Sequence, residues 1–224
     1  MSVAATRGRI FDKNGVLLAY NDLAYAVRIS DSGKYNNNAE KNEKLNASID
    51  KTLDIIEAKG DTYSNDFPIV YEDGQYVFNI KDNELLRFLR DIYGKRSISE
   101  LSDEERNVTA QELFRQLCEK YEVVVASDSS KNQVTVLSST VSFLKSQGYM
   151  VEAAGFSVDH ALMIVNLRRY MSANSYNRHI SFTIANEVSD ETVAAILESS
   201  DDLTGVTVEE QYIRRYVDSV YCSQ

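Results

Sequence analysis

Two places in the sequence pair a serine with a lysine three residues later, Ser48 with Lys51 and Ser142 with Lys145. In serine acyltransferases this spacing sets a nucleophilic hydroxyl beside the amine that activates it. Such enzymes also need a Lys-Ser/Thr-Gly motif, and the nearest string, at residues 51–53, reads Lys-Thr-Leu and lacks the glycine. Serine and lysine are frequent enough for both pairs to arise by chance, so we assign no catalytic serine.

The histidines, His160 and His179, are the other residues that could support nucleophilic or metal chemistry. A catalytic triad needs a histidine beside a nucleophile and a carboxylate, and no nucleophile-elbow motif lies near either of them. His160 falls on a predicted helix and His179 follows Arg178, which favours packing or surface roles. Because HExxH, Walker and GxGxxG patterns do not occur in the sequence, we predict no catalytic residues, no cofactor and no metal site.

The charge balance bears on possible partners. Lys and Arg number 24 against 34 Asp and Glu, which gives a formal net charge of −10 over 224 residues. Because that charge repels phosphate backbones, nucleic acid is not expected as a partner. No apolar run approaches the roughly 20 residues of a spanning helix, so this polypeptide is expected to be soluble. Cys118 and Cys222 lie far apart in the sequence and are expected to be free thiols.

Alternating apolar residues predict strands at both ends of the chain. Near the N-terminus two apolar stretches flank Asn14-Gly15, a pair that supplies the positive φ angles of a tight hairpin turn. The carboxylate of Asp12 can accept hydrogen bonds from backbone N–H groups and so stiffen this turn. The other predicted strands cover residues 24–29, 67–70, 76–80, 180–185 and 206–213.

Apolar residues at helical spacing and candidate caps fill most of the remaining sequence. Thr109 and Glu112 have the spacing of a capping box, and Ser157 and Ser189 are candidate N-caps. The predicted helices cover residues 39–58, 85–92, 110–118, a part of 134–156, 158–171 and 190–198.

This arrangement predicts an α+β fold. Strands from both chain ends would form one small antiparallel or mixed sheet, because an isolated hairpin buries too little surface to be stable. The helix over 190–198 would cover one face of that sheet. Residues 1–29 and 158–224 would then form the core of the domain, and residues 30–157 would form an inserted, mainly helical lobe that projects from it.

One string near the N-terminus is far more specific than the secondary-structure pattern. Residues 7–19 read RGRIFDKNGVLLA. They resemble RGxIxDRNGxxLA, the signature that opens the pedestal, or dimerisation, domain of class B penicillin-binding proteins, with Lys13 in place of the usual arginine. The matching residues that we expect to have structural roles are Arg7, Gly8, Asp12, Asn14 and Gly15.

A second block near the C-terminus supports the same resemblance. Residues 184–196, 203–208 and 214–216 are similar to the strand, helix, Pro-Gly-Val strand and Arg-x-Tyr sequence at the end of that pedestal, with Thr204 in place of the common proline. The positions carried over as structural are Gly205, Arg214, Arg215 and Tyr216. Between about residues 30 and 157 the resemblance is weak.

The resemblance implies a non-catalytic module of a peptidoglycan transpeptidase on the outer face of the bacterial cytoplasmic membrane. In that family the pedestal positions its own transpeptidase domain and contacts a membrane-embedded SEDS-type glycan polymerase, and a homodimer is a further possible partner. The membrane anchor and the transpeptidase domain would lie outside these 224 residues. Whether the parent protein serves elongation, division or sporulation stays open.

The sequence leaves two other functional hypotheses open. The chain could be a self-contained serine acyltransferase or hydrolase that uses Ser142 and Lys145, which would need the missing third motif. It could also be an unrelated extracellular binding module. Reaction with a labelled β-lactam separates the first alternative from a pedestal, because a pedestal has no acylated serine.

Overall fold

A long central strand organises the main sheet of the protein. The computed structural model describes residues 7–31, 33–125, 155–175 and 177–217. Within these residues a four-stranded antiparallel sheet is formed by β1 (Ile10–Phe11), β2 (Leu17–Ser30), β5 (Ser181–Val188) and β6 (Val206–Tyr216). A separate hairpin is formed by β3 (Ile69–Glu72) and β4 (Gln75–Phe78).

Strand β2 has partners on both of its edges. Strand β6 runs antiparallel along one edge, from Val206 opposite Ile29 to Tyr216 opposite Ala19. The other edge is shared by β1, which pairs near Ala19, and by β5, which pairs from Tyr25 to Ser30. Strands from the two chain ends therefore share one sheet, and the predicted α+β fold is confirmed.

The predicted segments around residues 16–20 and 24–29 are parts of one strand. Strand β2 runs unbroken through both, and its register shifts by bulges against β1 and β5. The sequence predicts two strands here because the polar residues Asn21 and Asp22 interrupt the apolar pattern. Their backbones nevertheless stay paired with β6, so the strand continues through them.

The hairpin between β1 and β2 turns at Asp12 to Gly15. The Asp12 carboxylate oxygen Oδ1 accepts hydrogen bonds from the backbone N–H of Asn14 at 2.8 Å and of Val16 at 2.7 Å. In this turn only Gly15 has a positive φ, 81°, so the turn does not place both Asn14 and Gly15 in the left-handed region. The Asp12 carboxylate therefore binds backbone N–H groups of its own turn, as its residue type led us to expect.

Five of the helices in the described residues lie where the sequence predicts them, and the short helix at Asp103–Arg106 was not predicted. The helices are α1 (Asn38–Ala58), α2 (Asp82–Ile92), α3 (Asp103–Arg106), α4 (Ala110–Tyr121), α5 (Val158–Ala173) and α6 (Asp190–Glu198), with 3₁₀ turns at Ile98–Glu100 and Ser200–Asp202. The helix predicted within residues 134–156 falls almost wholly outside the described residues.

The predicted caps are present, with one difference. Ser157 accepts from the N–H of His160, and Ser189 accepts from the N–H of Thr192. Thr109 likewise accepts from the N–H of Glu112, but the Glu112 carboxylate binds Arg115 instead of closing a capping box. The reciprocal box forms at α3, where both halves are present.

One cluster of buried apolar side chains runs through the described protein. It includes Ile29 of β2, Ile49 of α1, Phe114 of α4, Ile164 of α5 and Ile196 of α6, all at most 3% exposed. Residues from both proposed parts, 1–29 with 158–224 and 30–157, contribute to this cluster. The division into a core and an inserted lobe stays a prediction.

A polar contact also ties α1 to α6. Asp61, just beyond α1, accepts hydrogen bonds from the backbone N–H and the hydroxyl of Ser189, both at 2.8 Å, and from the Thr192 hydroxyl at 2.5 Å. The carboxylate therefore reinforces the N-cap of α6 from a distant part of the sequence. Cys118 is a buried free cysteine, and Cys222 lies outside the described residues.

Candidate functional site

The two motif blocks meet where β1, β2 and the end of β6 come together. Arg214 on β6 donates from Nη1 to the Gly8 carbonyl at 2.7 Å and to Asn21 Oδ1 at 3.1 Å. The Asn21 side-chain amide donates in turn to the Arg7 carbonyl. Arg214 thus ties the N-terminal backbone to β6 through a residue of the central strand, and Arg7 and Gly8 take part through their backbones.

Arg215 makes a second connection, on the opposite face of the sheet. Its Nη2 lies 2.5 Å from Glu187 Oε2 on β5, and its Nε lies 3.6 Å from Asp22 Oδ2 on β2. The guanidinium therefore spans three neighbouring strands. Because all three side chains are substantially exposed, the ion pairs contribute little free energy and mainly fix the relative positions of the strands.

Tyr216 ends β6 and pairs with Ala19 of β2. Its ring is about half exposed, as are several other apolar side chains of this part of the sheet. In the described chain these are Ile10, Phe11, Val16, Leu18, Leu23, Tyr212, Tyr216 and Val217. We call the first four the hairpin patch, and its apolar surface lacks cover from the described residues.

Gly205 stands apart from the other motif residues, at the start of β6. Its φ is 80°, and a Cβ placed there would lie 2.2 Å from the Ser30 carbonyl oxygen. The Ser30 N–H donates to the Gly205 carbonyl at 2.9 Å, so the two backbones approach closely. Glycine is required here for two separate reasons, the left-handed backbone and the missing side chain.

The residues that join the two blocks match no recognisable motif for that role in the sequence. Asn21, Asp22 and Glu187 make the contacts of Arg214 and Arg215, and none of them belongs to the motif residues predicted to be structural. The one sequence feature that could have pointed to them is the polar pair Asn21 and Asp22 within the largely apolar strand β2. Its role becomes clear only from the register between β2 and β6, which places Asn21 opposite Arg214.

The first serine and lysine pair does not form a catalytic centre. Ser48 is 2% exposed inside α1, and Lys51 Nζ binds Asp202 Oδ2 at 2.7 Å. The lysine is thus engaged as a cation with an exposed carboxylate, which leaves it unsuited to act as a base. Ser142 and Lys145 lie outside the described residues.

His160 is buried at the start of α5 between two carboxylates of α1. Its Nδ1 lies 2.7 Å from Asp50 Oδ1 and its Nε2 lies 3.3 Å from Glu57 Oε1. Burial alone would lower the pKa of His160, but the two hydrogen-bonded carboxylates outweigh it and raise the pKa above its usual value. The imidazolium therefore joins α5 to α1, which is a packing role, while His179 is exposed.

We expect the stability of the protein to depend on this histidine in a pH-dependent way. Because the folded pKa is raised, the stabilisation by protonated His160 is complete below pH 6.5 and is lost as the pH rises through the folded pKa. His160→Gln should cost about 1 kcal/mol at pH 6 and less at pH 9. Urea unfolding at both pH values measures this, with His179→Gln as the matched control.

The groups that face His160 are the carboxylates of Asp50 and Glu57, and the Tyr63 ring lies edge-on to the imidazole. Both carboxylates favour the imidazolium. A loss caused by His160→Gln that stays the same at pH 6 and pH 9 would contradict the ion-pair role.

An open cleft of about 490 Å³ lies beside α3 and the N-terminus of α4. Three of the residues that line it are Glu104, Glu105 and Glu112. Lys95 pairs with Glu105 at 3.1 Å, and Arg115 hydrogen-bonds Glu112 and holds its pKa at about 2. Two of the three carboxylates therefore already have cationic partners.

Metal sites and membrane-spanning helices are both absent from the residues that the structure describes. They contain no group of three or more His, Cys, Asp or Glu side chains arranged to hold a metal ion. Among the same residues, no helix has both the length and the apolar character needed to cross a bilayer.

Comparison with known proteins gives a match over nearly the whole chain. Residues 2–224 match the family model described as the penicillin-binding protein dimerisation domain. Penicillin-binding protein 2B from Streptococcus pneumoniae strain 5204 aligns over 96% of this chain at 14% identity, with a TM-score of 0.37. The same protein from strain R6 aligns over 95% at 16% identity, with a TM-score of 0.37.

The two solved proteins are much longer than this chain. The chain covers 26% of the first structure and 25% of the second, so it spans about a quarter of the length of the solved proteins that it matches. No curated protein matches the sequence.

Proposed function

Because the chain belongs to the penicillin-binding protein dimerisation domain family, we propose that it acts as the pedestal of a peptidoglycan transpeptidase. The module itself is non-catalytic, and the acyl-enzyme chemistry belongs to a separate domain of the longer protein. Its work is to hold that domain at a fixed position and orientation. This requires a stiff scaffold and an exposed surface on which another domain can rest.

The observation that carries this proposal is the junction of the two motif blocks. Arg214 and Arg215 lock the N-terminal hairpin, β2, β5 and the end of β6 together through side chains and backbone carbonyls. The contacts of Arg214 and Arg215 run to backbone carbonyls, to an amide oxygen and to carboxylates of neighbouring strands. In this proposal the motif residues serve rigidity, as a pedestal requires.

The hairpin patch supplies the resting surface in this proposal. Ile10 and Phe11 are 51% and 53% exposed, Leu18 lies on the facing strand of the same hairpin, and Val16 directly precedes that strand. Exposed apolar side chains that gather in one part of a soluble domain mark contact surfaces. The transpeptidase domain of the same polypeptide is the proposed occupant.

The cellular setting is a further part of the proposal. The module would stand on the outer face of the bacterial cytoplasmic membrane, next to a SEDS-type glycan polymerase. The similarity of residues 7–19 and 184–216 to the pedestal signatures supports this placement.

A single acylation experiment tests the proposal. The 224-residue chain should form no covalent adduct with penicillin, because its sequence lacks the Lys-Ser/Thr-Gly motif that such an acyltransferase needs besides Ser-x-x-Lys. The longer protein encoded by its gene should form one adduct per molecule. Intact-mass measurement after incubation with the β-lactam reads both results.

Each deviation from these results has a definite meaning. A stoichiometric adduct on Ser142 or Ser48 of the 224-residue chain would establish the self-contained acyltransferase instead. A longer protein that takes up no penicillin would remove the transpeptidase assignment. Ser142→Ala and Ser48→Ala are the matched variants that locate any adduct.

A further inference from the structure

Three cations and one carboxylate meet where the end of β2, the start of α1 and the second half of α5 come together. Asp31, directly after β2, is 4% exposed and binds two of the cations. Its Oδ2 pairs with Lys41 Nζ of α1, and its Oδ1 lies 3.2 Å from Nη2 of Arg178, which precedes β5. The third cation, Arg168 of α5, is also 4% exposed. Positive charge is therefore in excess here, in a chain whose net charge is −10.

Arg168 has only neutral hydrogen-bond partners among the described residues. Its Nη1 donates to the Lys41 carbonyl at 3.3 Å, its Nη2 donates to Asn42 Oδ1, and its Nε is buried without an acceptor. Asp31 and Glu122 act on it through their charge, but burial outweighs them and lowers the pKa of Arg168. A buried charge is costly unless an opposite charge pairs with it, so this guanidinium lacks a counter-ion.

The hydroxyl of Tyr35 is a second buried donor of the same cluster. Its ring centroid lies 5.8 Å from the guanidinium carbon of Arg178. Burial raises the pKa of Tyr35, and the positive charges of Arg178 and Arg168 oppose that rise, so both cations lie near the phenol. The hydroxyl oxygen lies against the Gly33 backbone, but its proton has no acceptor among the described residues.

Two unpaired donors beside an excess of positive charge suit a carboxylate. Its two oxygens could accept one hydrogen bond from the Arg168 Nε–H and one from the Tyr35 O–H, and charge-assisted bonds of this kind are among the stronger ones in proteins. A phosphate dianion fits less well, because Asp31 belongs to the same cluster and would repel a second negative charge.

The two donors become accessible when Tyr35 moves. This residue lies in the irregular segment between β2 and α1, and its side chain is only partly buried. Its hydroxyl proton gives up no acceptor on leaving, so rotation of the side chain breaks no helix or strand hydrogen bond. The side chains of Lys41 and Arg178 are 27% and 49% exposed, so the positive charge of the cluster reaches solvent.

We propose that Arg168 and Tyr35 bind the carboxylate of a small molecule or peptide, with Lys41 and Arg178 attracting it by their charge. The carboxylate could be the C-terminus of a peptide or an acidic side chain, since both present the same two oxygens. Binding would supply the counter-ion that Arg168 lacks and would fix the segment between β2 and α1.

Titration with sodium acetate provides the direct test. In ¹H–¹⁵N spectra of the arginine Nε–H groups, the signal of Arg168 should shift with a saturable dependence on acetate, and sodium chloride at the same ionic strength should not shift it. Arg169 is the internal control, because its Nε is also buried without an acceptor but its guanidinium lies over the rings of Phe88 and Tyr170. Its signal should stay in place.

Two conservative variants isolate the proposed donors. Tyr35→Phe removes only the hydroxyl and should weaken acetate binding about fivefold or more, whereas Tyr71→Phe on β3 should leave it unchanged. Arg168→Lys keeps the charge without the Nε–H and should weaken binding about tenfold or more, with Arg169→Lys as its control. Circular dichroism verifies folding, and Tyr35→Phe keeps the test decisive if Arg168→Lys does not fold.

Further probes identify the source of the carboxylate. An acetylated dipeptide with a free C-terminus is compared with an acetylated dipeptide amide whose only carboxylate is a glutamate side chain. The one that binds more tightly than acetate carries the matching carboxylate.

The proposal is overturned if acetate gives no saturable shift of Arg168, if chloride gives the same shift, or if folded Tyr35→Phe binds acetate as the wild-type chain does. Sodium phosphate that binds more tightly than acetate would overturn the assignment to carboxylates. The inference goes beyond the proposed function, and the acylation experiment does not depend on these residues.

Discussion

Gly205→Ala is expected to lower the free energy of unfolding by about 3 kcal/mol, through two costs that add. The residue has a φ of 80°, which an alanine adopts only with strain. Its Cβ would also lie 2.2 Å from the Ser30 carbonyl oxygen, a backbone atom that cannot rotate away. The start of β6 would have to move from the end of β2, against the hydrogen bond from Ser30 N–H to the Gly205 carbonyl.

Gly15→Ala is the matched control, because it carries only the first cost. Its φ is 81°, but no atom lies within 4 Å of the added Cβ. We expect a loss of about 1 kcal/mol. Urea denaturation followed by circular dichroism gives both values. Equal losses in the two variants would show that the approach of Gly205 to Ser30 is unimportant for stability.

Phe114→Ala is expected to cost about 4 kcal/mol, because it opens a cavity in the middle of the core. The side chain is fully buried, and its ring centroid lies 4.6 Å from that of Tyr76 and 6.5 Å from that of Phe67. The ring therefore joins α4 to the β3–β4 hairpin and to the segment before it. No polar group is left unpaired by the change, so the loss is one of packing alone.

Unfolding of this variant also tests whether residues 30–157 unfold independently of the main sheet. Because buried side chains of the main sheet and of residues 30–157 form one cluster, we expect a single unfolding transition, with amides of Arg28 and Thr207, which lie opposite each other in the sheet, losing hydrogen-exchange protection together with those of α4. Leu197→Ala, which removes a side chain that is 58% exposed, should change stability little. Two separate transitions would instead support an independently unfolding lobe at 30–157.

Much of the local structure could be predicted from the sequence, because its causes are local. Ser157 and Ser189 cap the helices that follow them, and Asp12 accepts N–H groups within its own turn. The joining of the chain ends was predictable too, since an isolated hairpin needs additional strands. What could not be predicted was register, which decides that Asn21 stands opposite Arg214.

At the candidate site, too, strand register and the partners of each residue could not be predicted from the sequence. The signature identified Arg214, Arg215 and Gly205 as structural, a role that stays a prediction until variants are measured. It gave no indication that Gly205 lies at the far end of β6 from the two arginines, or that their partners come from β2 and β5.

The central position of β2 has a consequence for biosynthesis. The ribosome makes β2 early and β6 much later, so β2 waits for both long partners, β5 and β6, while the intervening residues are translated. At the usual ~5–20 residues per second this wait lasts roughly ten seconds or more. During that interval most of both edges of β2 is unpaired, because β1 covers only the part near Ala19. Truncations before residue 206 remove β6, so we expect them to aggregate.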